Sequence, residues 1–414
     1  MMRFLYTLLL YALLPLVPLR LMWRARRQPE YLRHVGERFG FYSRTGRAKH
    51  CIWIHAVSVG ETRAAEPLVR ALRQRYPQHP VLITHMTPTG RATGEQVFGP
   101  GVERCYLPYD YPGAVRRFLR HFEPSVGVLM ETELWPNLIH VAAAARVPVY
   151  LVNARLSEKS YAGYRRYARL TAATLQALAG IAAQTESDAQ RLAALGAREP
   201  RVSGNLKFDI APPTALVELG TSWRARFGPR PALLAASTRD GEEALLLDAY
   251  SRLSAPDALL LLVPRHPERC EDVAALLQRR GFSWQRRSAE APVARETQVV
   301  LGDSLGEMFA YYAACDVAFI GGSLLPYGSQ NLIEACAAGK AVLIGPSTYN
   351  FAEAAELAVE NGAALAVADV DDLATKASEL LLDPPRARRM GEAGLRFCRA
   401  HQGAVDRVVD LIRF

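Results

Sequence analysis

Short apolar runs alternate with amphipathic stretches along most of the chain, and the alternation occurs twice. In the first round, aliphatic and β-branched runs at 52–55, 81–84, 126–130, 149–152 and 180–183 predict buried strands, with helical patterns between them such as 62–75 and 113–121. The pattern then relaxes over 205–221, where Pro212 and Pro213 precede Gly220, and this stretch reads as a linker. A second round places strands at 232–236, 259–263, 298–301, 317–320 and 341–344. Continuous apolar runs joined through helices point to parallel sheets covered on both faces. The expectation is an α/β chain of two doubly wound domains in series, 29–211 and 212–414, behind an N-terminal segment 1–28.

That segment departs from the pattern. Residues 4–19 carry no charge, Arg3 precedes them, and Arg20, Arg24, Arg26 and Arg27 follow. A cleaved leader needs a small-residue site where these arginines stand, so the segment is expected to stay. It is short against the roughly 20 residues of a membrane span, and Pro15 and Pro18 disturb its last turn. It is expected to associate with a membrane, either spanning it or lying in the interface. The basic flank keeps the remaining chain on the cytoplasmic side. A polar stretch at 44–50 separates it from the first strand.

Composition narrows the partners. The 414 residues are too many for one ordinary core, and with 50% hydrophobic and 22% charged residues the chain is globular rather than disordered or disulfide-stapled. Residues 1–210 hold 29 Lys and Arg against 15 Asp and Glu, while 211–414 hold 21 against 26. The basic first half asks for an anionic partner, and the apolar N-terminal segment favours an anionic lipid surface over nucleic acid. Cys51, Cys105, Cys270, Cys315, Cys336 and Cys398 lie far apart, without metal-ligand spacing, and read as buried reduced thiols.

Candidate chemistry is sought beyond the carboxyl ends of the strands, where doubly wound sheets bind ligands. The run HAVSVGE at 55–61 is a small-residue turn from strand to helix that ends in Glu61, suited either to a helix start or to accepting a proton. In METELWPNL at 130–138, Glu131 and Glu133 share a face beside Trp135, so one is expected to be structural and the other to face the ligand. Lys207 lies in GNLKFD at 204–209 and can neutralise a phosphate or carboxylate. In the second round, Ser237 and Thr238 precede a helix whose start offers hydroxyls and amides to an anion. Arg265 follows Pro264 and can fork onto a phosphate. Gly306, between Leu305 and Glu307, allows close backbone approach. Gly322 and Ser323 lead to Asn331, Leu332, Ile333 and Glu334, where Glu334 can accept from ribose hydroxyls. Together these loops predict a nucleotide site. Asp369 and Asp371 have a D-x-D form but read as helix-start acids, and no metal or cofactor is expected.

These motifs, with NARLS at 153–157, VPRHPER at 263–269 and GGS at 321–323 followed by NLIE at 331–334, resemble the bacterial 3-deoxy-D-manno-octulosonic acid (Kdo) transferases. The resemblance runs from about residue 36 to the C-terminus and includes the apolar N-terminus. It implies a GT-B glycosyltransferase, two Rossmann-like domains facing a cleft, with an acceptor-binding first domain and a CMP-sugar-binding second. It also implies transfer of Kdo from CMP-Kdo to the lipid A precursor, with inversion, at the cytoplasmic face of the bacterial inner membrane. By resemblance, Glu61 is the general base, Glu131 and Lys207 support the transition state, and Pro264, Arg265, Leu305 to Glu307 and Asn331 to Glu334 hold CMP. Many members have His where this chain has Gln330. From the residues alone only a nucleotide-sugar enzyme follows, and a GT-B enzyme using a UDP- or GDP-sugar on another lipid acceptor stands as the alternative.

Overall fold

The structure, a computed structural model, describes residues 2–43 and 49–414. Most of the polar stretch expected at 44–50 lies outside these residues. The described chain forms two compact units, one of residues 1–209 with 401–414 and one of 210–400.

The first unit holds a seven-stranded parallel sheet made of β1 (Ile52–His55), β2 (Val81–His85), β3 (Glu103–Tyr106), β4 (Val126–Met130), β5 (Val149–Ala154), β6 (Gly180–Ala183) and β7 (Arg201–Val202). Their order is β3-β2-β1-β4-β5-β6-β7, so the chain builds outward from β1, then returns to lay β4 on its other side. Side chains of alternate residues fill two cores, one on each face. Ile52, Ile54, Val126 and Val128 enter one, while Cys51, Trp53 and Leu129 enter the other. β1 and β4 pair from Ile52 opposite Val126 to His55 opposite Leu129. The Trp53 ring lies so close to Gly127 that a β-carbon there would stand 2.7 Å from it, which is why a glycine interrupts this otherwise aliphatic strand.

The second unit repeats the plan with β8 (Ala232–Thr238), β9 (Leu259–Pro264), β10 (Trp284–Arg286), β11 (Val299–Leu301), β12 (Val317–Ile320), β13 (Ala341–Ile344) and β14 (Ala364–Ala366), in the order β10-β11-β9-β8-β12-β13-β14. All pairs are parallel.

Three expectations change. The helix expected over 62–75 is two helices, Val59–Ala64 and Glu66–Arg75, the second opening on Pro67. The stretch read as linker is helical from Thr214 to Arg226, because Trp223 is buried and so anchors one face despite the prolines before it. Residues 401–414, expected with the second domain, group with the first unit.

The N-terminal segment forms helices Met2–Ala12 and Leu16–Ala25, bent by 59° at the break where Pro15 stands. No single described helix is long and apolar enough to cross a membrane. One side of the first helix docks on the unit, with the Tyr6 hydroxyl donating to Asp110 at 2.9 Å and the Thr7 hydroxyl to Asn137 at 3.0 Å. Phe4, Leu5, Leu8 and Leu9 remain exposed.

Candidate active site

Both sheets reverse direction of growth next to their first strand, the first between β1 and β4 and the second between β8 and β12. Loops leave such a switch point on opposite sides and open a crevice there. Glu61 follows β1 and Glu131 follows β4, so the two lie on either side of the first crevice.

Ser58 caps the helix Val59–Ala64, its hydroxyl oxygen accepting from the Glu61 amide. The Glu61 carboxylate reaches back, accepting from the Val57 amide at 2.8 Å and from the Ser58 hydroxyl at 2.9 Å. This is a capping box shifted by one residue. It leaves Glu61 only 8% exposed. A helix start favours the ionised form, but burial outweighs both hydrogen bonds, and with the charges of Glu131 and Glu133 nearby it pushes the pKa up to about 7.

Glu131 and Glu133 differ in their partners, but not through a shared face, because the turn at Glu131 breaks the extended geometry that the expectation assumed. The Glu133 carboxylate accepts from the Trp135 indole at 2.6 Å. Glu131 has a left-handed backbone, φ 56°, held by its amide donating to the Val152 carbonyl of β5 at 2.9 Å. No hydrogen bond or ion pair occupies its carboxylate among the described residues. Such strain in a non-glycine residue persists only where its surroundings fix it.

Lys207 stands off the same edge of the sheet. Asn153, fully buried at the end of β5 with φ 52°, accepts the Leu206 amide at 3.0 Å on its side chain, and Asn205 accepts the Lys207 amide at 3.0 Å. Gln184 reinforces the arrangement, taking the Asn205 side-chain amide at 3.1 Å and donating to the Asn153 carbonyl at 3.0 Å. The other side of the loop is tied down by Asp209, which accepts the Gly403 amide at 2.6 Å. His55 and His85 are buried beneath the crevice, and burial lowers them to about 3 and about 4, so both are neutral.

In the second unit the expected anion-binding helix start is already filled by the protein's own acids. Glu242 is fully buried, and its carboxylate accepts from the amides of Arg239 at 2.8 Å, Gly322 at 2.6 Å and Leu324 at 3.0 Å. Thr238 gives its hydroxyl to Glu243 at 2.7 Å, and Arg269 closes on Glu243 at 2.6 Å. Ser237 has a left-handed backbone, φ 58°, at the end of β8. Ser323 is enclosed, donating to the Ile320 carbonyl and accepting from the Gly345 amide at 2.8 Å. Thr238 and Ser323 therefore shape these loops from inside.

The other residues expected at the donor lie in the loops after β9, β11 and β12. Arg265 donates its backbone amide to the Thr238 carbonyl at 2.9 Å and its Nε to Gln330 at 3.1 Å, which joins the loops after β9 and β12. Leu305 is 72% exposed, and Gly306 has φ 79° with nothing within 4 Å of a β-carbon placed on it. Glu307 is paired with Arg287 at 2.6 Å. Asn331 accepts the Ile333 amide and donates to Glu334, both at 3.1 Å, while Leu332 and Ile333 are core residues. The helix there is five residues, Ile333–Ala337. Asp369 caps the helix Val370–Leu382 by accepting from the Asp372 amide at 2.9 Å, and Asp371 pairs with Arg252. Sequence reading missed Asn153, Glu242 and Gln330 as organisers, although Asn153 and Gln330 sit inside or beside quoted motifs and Glu242 follows Ser237 and Thr238 by a few residues.

Residues 33–210 match a family described as "3-Deoxy-D-manno-octulosonic-acid transferase (kdotransferase)", and residues 245–397 match "Glycosyl transferases group 1". A 3-deoxy-D-manno-octulosonic acid transferase of Bordetella pertussis is 46% identical over 99% of this chain and 98% of its own length. The chain belongs to the Kdo transferase family. A Haemophilus influenzae member is 38% identical over 100% of this chain and 98% of its own. Among solved structures, a Rickettsia africae glycosyltransferase has a TM-score of 0.58 at 14% identity over 88% of this chain and 97% of its own. Acinetobacter baumannii MurG has 0.55 at 13% over 88% and 99%. These likenesses give the transferase its fold, two Rossmann-like parallel sheets of the GT-B kind. It is a glycosyltransferase.

Proposed function

We propose that the transferase moves Kdo from CMP-Kdo to the lipid A precursor, with Glu61 as general base. The observation that carries this reading is a buried carboxylate at the switch point of the first sheet, brought to about 7 by desolvation, where it is both partly ionised and basic enough at neutral pH. Glu61 takes the proton of a primary hydroxyl on the glucosamine disaccharide. That oxygen bonds to the anomeric carbon of Kdo, and the bond from this carbon to the CMP phosphate oxygen breaks, so the electron pair leaves with CMP. One displacement inverts the centre.

Positive charge grows on the sugar ring, which suits the unpaired carboxylate of Glu131, and negative charge grows on the phosphate, which suits Lys207 and Arg265. Leu305, Gly306 and Glu307, with Pro264 and the segment Asn331 to Glu334, contribute the donor loops. Ser237, Thr238, Gly322 and Ser323 set the shape of those loops. The exposed apolar side of residues 2–25 and the basic first half support a place at the cytoplasmic face of the inner membrane, on anionic lipid.

The test incubates detergent-solubilised protein with tetraacylated lipid A precursor and freshly generated CMP-Kdo, comparing wild type with Glu61→Gln by mass spectrometry of the lipid. Kdo increments with wild type and none with the variant are expected. Folded wild type that adds no Kdo, yet is stabilised by UDP or GDP and not CMP, sinks the donor and acceptor assignment.

A further inference from the structure

A cavity of the first unit lies away from Glu61, between helix Pro112–Phe122 and helix Pro136–Ala144, with a volume of about 710 Å³. Ser125, just before β4, and Val147, just before β5, line it. It therefore stands at the amino ends of these strands, one strand length or roughly 16 Å from their carboxyl ends.

The lining is strongly basic. Arg3, Arg116, Arg120 and Arg146 face one carboxylate, Glu123, and that carboxylate is taken by Lys49 at 2.5 Å. Among the described residues none of the four guanidinium groups has an ion pair. Arg116 and Arg120 are four apart on one helix and repel each other, a cost that an anion between them removes. His140 adds an enclosed Nε2 without a hydrogen-bond partner. Arg3 belongs to the helix Met2–Ala12, so one element both closes the groove and exposes Phe4, Leu5, Leu8 and Leu9.

We infer that this groove is a second anion site, separate from the reaction crevice, that takes the phosphate headgroup of an anionic membrane lipid and so fixes the protein on the bilayer surface. The volume exceeds what a lone phosphate fills, and an exposed apolar helix adjoins it. The inference rests on the membrane-surface reading above.

The experiment measures sedimentation of full-length protein with phosphatidylcholine vesicles, with and without one-third phosphatidylglycerol, at fixed salt. Arg116→Gln/Arg120→Gln, both exposed, is compared with Arg73→Gln/Arg75→Gln, which removes equal charge from two exposed positions outside the groove. The groove variant is expected to bind the anionic vesicles about twenty-five-fold more weakly, about five-fold per charge. Its binding to neutral vesicles and its transfer activity in detergent stay unchanged, and the control changes less than about two-fold. Equal losses in the two double variants overturn the site in favour of diffuse charge. Calorimetric binding of inorganic phosphate to wild type alone, with no difference on vesicles, overturns the lipid assignment in favour of a soluble anion. Leu8→Asp/Leu9→Asp tests the underlying reading separately. If that variant still binds both vesicles like wild type, the membrane-surface reading fails, whereas its loss beside a normal Arg116→Gln/Arg120→Gln variant leaves that reading standing and removes the groove.

Discussion

Glu61 carries two duties whose requirements conflict. As a capping residue it works best ionised, and as a base it must hold a proton firmly enough to take one. Burial settles the conflict at about 7. Transfer should then rise about ten-fold per pH unit below 7 and level off above about 8, measured as kcat/KM; a rate flat between pH 6 and 8 removes Glu61 as the base. The same shift acts on stability. Because the folded pKa lies above the ordinary 4.5, the stabilisation is complete below about 4.5 and is lost as pH rises through about 7. Glu61→Gln, which is never charged, should abolish transfer yet be about 1–2 kcal/mol more stable than wild type at pH 8 in urea unfolding.

Glu242 shows the opposite residue-scale logic. Its carboxylate holds three amides from two loops, and an amide in its place would turn one acceptor into a donor facing an N–H. Glu242→Gln should cost the second unit about 2–4 kcal/mol in urea unfolding and raise the KM for the donor, with a smaller change in kcat; an unchanged KM would detach Glu242 from the donor loops. Acid placement at strand ends made Glu61 and Glu131 visible in the sequence, and the hydroxyls of Ser237 and Thr238 made this helix start visible. Which carboxylate is buried on amides and which is left open was not visible there, because that depends on loops distant in the chain.

At the scale of elements, the ten strands expected from apolar runs are all present, and the four that were not expected, β3, β7, β10 and β14, are the four outer strands of the two sheets. An outer strand is paired on one side only and covered less, so it does not need an apolar residue at every position. Glu103 and Arg104 of β3 and both residues of β7 are at least partly exposed, and the apolar signal disappears with the burial. The apolar N-terminus was equally plain in sequence, but its docking was not, because polar groups make it. Asp110 accepts from the Tyr6 hydroxyl and also from the amides of Asn137 at 3.0 Å and Leu138 at 2.6 Å. Tyr6→Phe should therefore speed amide exchange over 2–12 alone, by about five-fold for the roughly 1 kcal/mol lost. Asp110→Ala should speed exchange at the amides of Asn137 and Leu138 as well and lower activity, since that helix start adjoins the Glu131 loop. Exchange mass spectrometry separates the two, and equal patterns would show that Asp110 does not link them.

For the whole molecule, the order of the chain and the order of assembly differ. The second unit ends at residue 400, and the last residues return to the first, where Ala404, Val405, Val408 and Ile412 complete one face of its core. The return also bears on the site, because Asp209, which closes the Lys207 loop, takes its amides from Gly403 and Val405. Tyr76 and Tyr150 fix the last turn by donating to the carbonyls of Ile412 at 3.3 Å and Arg413 at 2.9 Å. Removing 401–414 takes these four apolar residues away and exposes the core face they cover, and should destabilise the first unit by about 5 kcal/mol, while the second keeps its own core. Calorimetry of the truncated chain should then show one transition moved to lower temperature and one in place, with transfer lost because the Lys207 loop is released. Two transitions that fall together would mean that the units unfold as one body, and an unmoved pair would mean that the returning helix contributes nothing to the core it covers.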